Sequence, residues 1–189
     1  MPPDETFVIF PRRRATVSGV DVAEENGWQH AQTIHPAEKR LYEEIYRTDD
    51  GTVIRIIDDH FVMVVFAAIT GESRRQVATI LRDALNAFDE ETIWQRTESS
   101  GPDVRAHAVR ALAAICPDHS DARWVEAFSK ATRDSSPKVR SATADALARA
   151  AWPELWPVLD DFVNNEKDAD VKREAEEVRA SYEALVPRG

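Results

Sequence analysis

Pro102-Asp103-Val104-Arg105-Ala106-His107-Ala108-Val109-Arg110-Ala111-Leu112 is answered downstream by Pro137-Lys138-Val139-Arg140-Ser141-Ala142-Thr143-Ala144-Asp145-Ala146-Leu147, and again by Ala169-Asp170-Val171-Lys172-Arg173-Glu174-Ala175-Glu176-Glu177-Val178. The Val-Arg or Val-Lys pairs stand 35 and then 32 residues apart. Self-similarity at such an interval marks stacked helical units, because each unit has an apolar face that it cannot bury alone. In the third segment Val171, Ala175, Val178, Tyr182 and Leu185 follow helical spacing. Further helices are expected over Ser120 to Arg133 and Pro153 to Asn164, in the intervals between the repeated segments.

These segments resemble the second helix of HEAT repeats, in which a turn acid precedes a Val-Arg pair and a helix rich in small residues. Asp134 stands six residues before Arg140 and Glu166 six before Lys172, while Glu98 is displaced by one relative to Arg105. Such acids and bases can form a ladder between adjacent turns. The resemblance covers about the last 90 residues. Its intervals are shorter than the ~40 residues usual for HEAT units, which fits short variants of the phycobilin-lyase type. The Trp-x-x-Leu-Gly pattern of tetratricopeptide repeats and the Thr-Pro-Leu-His of ankyrin repeats are both absent from the sequence.

Ahead of the repeats, from Leu41 to Thr70, the hydrophobic period falls to about two. Asp49-Asp50-Gly51 marks a tight hairpin turn, and Asp58-Asp59-His60 a second. The expectation is a three-strand meander: Leu41 to Thr48, Thr52 to Asp58 and Phe61 to Thr70. The run Phe61 to Ile69 is apolar on both faces, as in a covered central strand. A helix over Glu72 to Phe88 carries Val77, Ile80, Leu81, Leu85 and Phe88 on one stripe and can cover it. Thr6 to Phe10 and Ala15 to Val20 read as further strands, and Val22 to Gln32 has no clear period. The fold class is therefore α+β: a small antiparallel sheet with a helix over residues 1–97, then a HEAT-like stack over 98–185. Residues 186–189 complete Leu185-Val186-Pro187-Arg188-Gly189, a thrombin recognition sequence, and are expected to be a vector-derived tail.

A net charge of -10 disfavours nucleic acid and anionic lipid, and favours a basic protein. Arg12-Arg13-Arg14 is the one concentrated basic cluster, and from Glu98 onward 13 basic residues face 17 acidic ones. HEAT-like DNA glycosylases, by contrast, have a basic concave face. No run approaches the ~20 apolar residues that span a bilayer, and a single cysteine, Cys116, fits a reducing, cytoplasmic setting. Abundant arginine and alanine fit a GC-rich, bacterial genome. Cys116, Asp118, His119 and Asp121 match no compact zinc spacing and read as an inter-helix turn. The His-Glu pairs of HEAT-like hydroxylases of the deoxyhypusine type are missing, as are a phosphate loop and a nucleophile elbow. No catalytic residue, cofactor or metal is assigned.

The resemblance implies a protein-interaction module or adaptor whose second helices line a concave surface. By helical angle, Arg110, Ser141, Asp145, Arg173 and Glu177 face that surface. Trp124 and Trp156, at equivalent places 32 residues apart, are candidate aromatic anchors as well as candidate packing residues between repeats. Trp28, Trp94 and Trp152 fall near predicted boundaries, where covering a seam is expected. An acidic immunity or antitoxin-like inhibitor is the concrete form of this reading. A small enzyme or cofactor-handling accessory protein is the alternative from another class, and a nucleic-acid-binding repeat the third.

Overall fold

Asp49-Asp50-Gly51 turns the chain as its residue types require. Gly51 takes a left-handed φ of 82°, and its N–H donates to the Thr48 carbonyl at 3.0 Å. The Asp50 carboxylate accepts from the Ser73 and Thr48 hydroxyls and from the Thr52 N–H, which hold its carboxyl below the usual carboxylate range. The computed structural model describes residues 5–11, 15–35 and 41–188, and the chain divides into two units, 1–93 and 94–189. The Arg12-Arg13-Arg14 cluster lies outside the described residues.

In the first unit, strands β1 (Glu5–Ile9), β2 (Gln29–Ile34), β3 (Leu41–Arg47), β4 (Val53–Asp59) and β5 (Val64–Thr70) form one antiparallel sheet in the order β1-β5-β4-β3-β2. Helices α1 (Ala15–Glu25) and α2 (Arg74–Leu85) accompany it. Strand alternation puts Tyr46, Ile54, Ile56, Val65, Ala67 and Ile69 on one face, where they join Val22 and Ala23 of α1 and Val77, Ala78 and Leu81 of α2 in one core. Val64 to Ile69 is buried throughout, so the two-sided apolar run is a strand buried on both faces. Ring contact between Phe7 and Phe66, with centroids 6.2 Å apart, lies on the face away from this core.

Three expectations for this unit are corrected. Ala15 to Val20 is helix, not strand: the β-branched residues suggested a strand, but tertiary packing decides. Gly19 lets that helix approach the sheet, since a Cβ there would come within 3.0 Å of Ile56 Cδ1. Secondly, β5 begins at Val64 and not Phe61, because the buried Asp59 carboxylate accepts the Phe61 and Val62 N–H groups at 2.9 and 3.2 Å and bends the chain there. Met63 completes the bend with φ 62°. Thirdly, the unassigned segment Val22 to Gln32 divides between the end of α1 and the start of β2.

The second unit is helical, and its first helix begins at Glu90. Helices α3 (Glu90–Arg96), α4 (Pro102–Ala114), α5 (Ala122–Ala131), α6 (Pro137–Ala150), α7 (Trp156–Asn165) and α8 (Ala169–Leu185) alternate as first and second helices of three pairs. A short 3-10 turn, Pro153–Leu155, leads into α7. Pro102 and Pro137 occupy the first helical position of α4 and α6, where a missing N–H costs nothing. Asp121 and Asp168 cap α5 and α8 by accepting N–H groups, as Asp121 does from the end of its inter-helix turn. The second helices pack side by side, α4 on α6 and α6 on α8. Ala108, Ala111, Ala142, Ala144, Ala146 and Ala175 are buried there, and such small side chains permit close approach of helices.

The expected ladder links adjacent turns. Arg105 grips Asp134 with two bonds of 2.7 and 2.8 Å, and its remaining nitrogen donates to the Ser99 and Ser100 carbonyls. Arg140 grips Glu166 at 2.7 and 3.0 Å and donates to the Asp134 carbonyl at 2.8 Å. Each acid also accepts N–H groups from its own turn: Ser136 on Asp134, and Lys167 and Asp168 on Glu166. Glu98, displaced in sequence, instead pairs with Lys130 at 2.7 Å.

The Arg105 guanidinium holds the Asp134 carboxyl below the usual range. At Glu166 burial pushes the carboxyl up, but Arg140 and the two N–H groups outweigh it and the net direction is down. Folded-state pKa values below the unfolded ones mean that this stabilisation is full above about pH 5 and is lost as pH falls through the folded values. Arg140→Ala is therefore expected to lower stability at pH 7 by about 2–3 kcal/mol in urea denaturation, with the difference from wild type shrinking toward pH 3. A deficit that stays constant with pH contradicts this. Gly71 has φ 122°, and a Cβ there would lie 2.7 Å from Thr52 Cα. Gly71→Ala is expected to lower the urea midpoint by the equivalent of about 2–3 kcal/mol; an unchanged midpoint refutes the close approach.

Candidate interaction surface

Counting from Val104, Val139 and Val171 places side chains of the second helices in matching columns. Six residues beyond each valine stand Arg110, Asp145 and Glu177. Arg110 crosses from α4 to α6 and meets Asp145 at 2.8 and 2.9 Å. Burial pushes the Asp145 carboxyl up, against the pull of Arg110, and neighbouring Glu174 adds to the rise. One residue before the valines, Asp103 of α4 meets Lys138 of α6 at 2.5 Å. Two residues beyond them, Ser141 is half-buried, while Arg173 is exposed and pairs with Asp170 of its own helix at 3.0 Å. Glu177 is exposed, as are Glu176 and Glu183 on the same helix.

The charge pattern across the three helices is uneven. Ion pairs join α4 to α6 at two levels, whereas α8 presents Glu176, Glu177 and Glu183 to solvent. Glu174 Oε2 is buried and has no hydrogen-bond partner among the described residues. Among the second helices, the exposed acids without a described ion-pair partner therefore lie on α8.

Trp124 and Trp156 are each 5% exposed. Trp124 Nε1 donates to the Leu112 carbonyl at 3.1 Å, and its ring meets Trp94 edge-on with centroids 4.7 Å apart. Arg123 lies over Trp94 at 3.9 Å. Leu147 is the repeat equivalent of Leu112, but its carbonyl accepts from the buried Tyr182 hydroxyl at 2.7 Å. Trp156 meets Tyr182 edge-on at 5.3 Å, and its Nε1 has no partner among the described residues. Both tryptophans thus pack inside the stack. Trp152 is buried against Phe128, and Trp28 packs on the core of the first unit.

A polar cluster that the sequence reading did not single out occupies the β2–β3 pair. Buried Glu44 accepts from the Thr33 hydroxyl at 2.7 Å and from the Tyr42 hydroxyl, and His30 Nε2 lies 2.8 Å from it. Burial pushes the Glu44 carboxyl up, but the Tyr42, Thr33 and His30 donors outweigh it and hold it below the usual range. The same contact pushes the Tyr42 hydroxyl up to about 12. With its oxygens taken by donors of its own chain, Glu44 clamps the edge strand β2 to β3. The signal was the alternation Tyr42-x-Glu44-x-Tyr46, which puts three polar-tipped residues on one face.

Cys116 is half-buried, and among the described residues no three His, Cys, Asp or Glu side chains form a metal-holding group. His60 lies 3.4 Å from Asp58, on the charged turn of its hairpin. A groove of about 470 Å³ follows the turns of the last two helix pairs, and its walls are the paired groups Arg133–Asp161 and Arg140–Glu166. No described helix is long and apolar enough to cross a membrane.

A family model described as HEAT repeats matches residues 90–179. No curated protein and no solved structure matches the chain. The match begins at the start of α3 and takes in every helix pair up to the middle of the last second helix. The carboxyl-terminal part of this α+β protein is thus a HEAT-like helical repeat region, similar to HEAT repeats over residues 90–179.

Proposed function

We propose that the chain is a non-enzymatic protein-interaction module, in which the HEAT repeats present their second helices to a basic protein. The observation that carries the reading is the uneven charge of those helices: α4 and α6 neutralise each other through Arg110–Asp145 and Asp103–Lys138, while Glu176, Glu177 and Glu183 of α8 stay exposed. HEAT repeats commonly mediate protein interactions. An acidic strip steers a basic partner and fixes its register more than it adds affinity. To the partner face we assign Arg173 and Glu177 of α8 together with Ser141 of α6, and Arg110 and Asp145, which engage each other, at its neutralised side. Trp124 and Trp156 support the surface from within. An immunity or antitoxin-like inhibitor of a basic toxin, acting in the cytoplasm of a bacterium, is the concrete form of the proposal. The net charge of -10 weighs against nucleic acid as the ligand.

The test is a pull-down from cells of the source organism with the full chain as bait, followed by mass spectrometry. A single dominant basic protein is expected, released by rising salt, with recovery reduced at least about tenfold when the bait carries Asp145→Lys and Glu177→Lys. Equal recovery by both baits removes these helices as the binding surface. Repeated recovery of no protein, together with turnover of a small molecule, sinks the module reading itself.

A further inference from the structure

Three turns of the first unit meet around a cavity of about 310 Å³. The first of them ends α1. Gly27 takes a left-handed φ of 68°, its N–H donates to the Glu24 carbonyl at 3.0 Å and the Trp28 N–H donates to the Ala23 carbonyl at 2.9 Å. This paired closure of the helix end fixes Trp28 against the core. The second turn is the hairpin at Thr48 to Gly51, and the third leads into α2. Ser73 staples these two together, since its hydroxyl donates to Asp50 and its N–H to the Thr52 hydroxyl at 3.0 Å. Hydrogen bonds of the chain itself therefore set the walls.

The lining combines an aromatic, an aliphatic and an acidic part. Trp28 and Ile80 are half-buried and Val77 is buried, while Asp49 and Asp50 supply two carboxylates and Gln76 an exposed amide. No lysine, arginine or histidine is among the described residues that line the cavity. The two acids offer different things. Asp50 is committed to Ser73, Thr48 and Thr52 and contributes its charge, whereas Asp49 is exposed and has no hydrogen bond or ion pair among the described residues. Uncompensated negative charge beside an indole selects a cation. The aliphatic part selects a cation carried on an apolar stem, which neither a sugar nor a hydrated metal ion has. The volume lies near the lower bound of small-ligand sites, about 300 Å³, and suits a single side chain.

We infer that this cavity is a recognition site for an arginine side chain of a protein partner, with the guanidinium held by Trp28 and Asp49 and the aliphatic stem by Val77 and Ile80. Arginine suits the place better than lysine, because a planar, weakly hydrated guanidinium stacks on an indole and bonds a carboxylate with its edge at the same time. Free arginine fits less well, since its α-carboxylate would lie near two like charges with no base to hold it. The inference goes beyond the proposed role of the repeats: every residue in it belongs to the first unit, and it stands or falls separately from the surface on α8.

The full chain is titrated with a terminally blocked Gly-Gly-Arg-Gly-Gly peptide while the indole N–H signals are followed by NMR, the Trp28 signal being assigned from Trp28→Phe. A saturable shift of that signal is expected, with binding about fivefold weaker for the lysine counterpart and absent for a counterpart carrying neutral citrulline. Asp49→Asn keeps a turn-compatible residue and is expected to weaken the arginine peptide about fivefold with the urea midpoint unchanged, whereas Glu177→Lys on α8 leaves the affinity as it is. An unmoved Trp28 signal, equal binding of the citrulline peptide, or full affinity after Asp49→Asn overturns the site. A loss with Glu177→Lys as large as that with Asp49→Asn reduces the binding to general charge attraction and overturns it too. Tighter binding of free arginine than of the peptide overturns the protein-borne source.

Discussion

The arginine fork between successive turns is the constraint on which the helical half depends. Arg105 and Arg140 each hold a backbone carbonyl of the turn preceding their own helix and, with the other edge of the guanidinium, the acid of the next turn. The acids in turn cap N–H groups of the turn to which they belong. One side chain thereby fixes the distance and angle between neighbouring pairs, which a purely apolar contact between alanine-rich helices leaves free to slide. Arginine suits the place because its fork satisfies carboxylate and carbonyl at once. Once the angle is set, α4, α6 and α8 come side by side and their charged columns fall into register.

The first unit solves a different problem with similar means. Its sheet exposes an edge at β2, and the buried carboxylate of Glu44 fastens that edge through Thr33 and His30. The β3–β4 and β4–β5 turns are each organised by an aspartate accepting N–H groups, Asp50 at one and Asp59 at the other. Buried or half-buried carboxylates in both units thus act as structural acceptors. On α8 the exposed Glu176, Glu177 and Glu183 serve no such acceptor role among the described residues, and the proposed binding surface is placed there.

Local chemistry made much of this legible in the sequence. The Pro-x-Val-Arg starts marked α4 and α6, the turn acids Asp134 and Glu166 announced the ladder, and Asp-Gly announced its hairpin. Helix α3 was missed because its 7 residues carry no Val-Arg pair, although Asp89 capping Thr92 and the acidic first turn were visible. Helix α1 was misread because β-branched residues favour strands, while the deciding fact, the fit of Gly19 over Ile56, is tertiary. The pairing of Arg110 with Asp145 needed the register between helices, which is not encoded in spacing along one helix.

Hydrogen exchange across the full chain, followed by mass spectrometry, tests the role of the fork most directly when wild type is compared with Arg140→Lys. Lysine keeps the charge but cannot hold the Asp134 carbonyl and both Glu166 oxygens together. Exchange about tenfold faster is expected in α7, α8 and the turn between them, with the strands of the first unit unchanged. Unaltered exchange in α8, or an equal rise across both units, would contradict it.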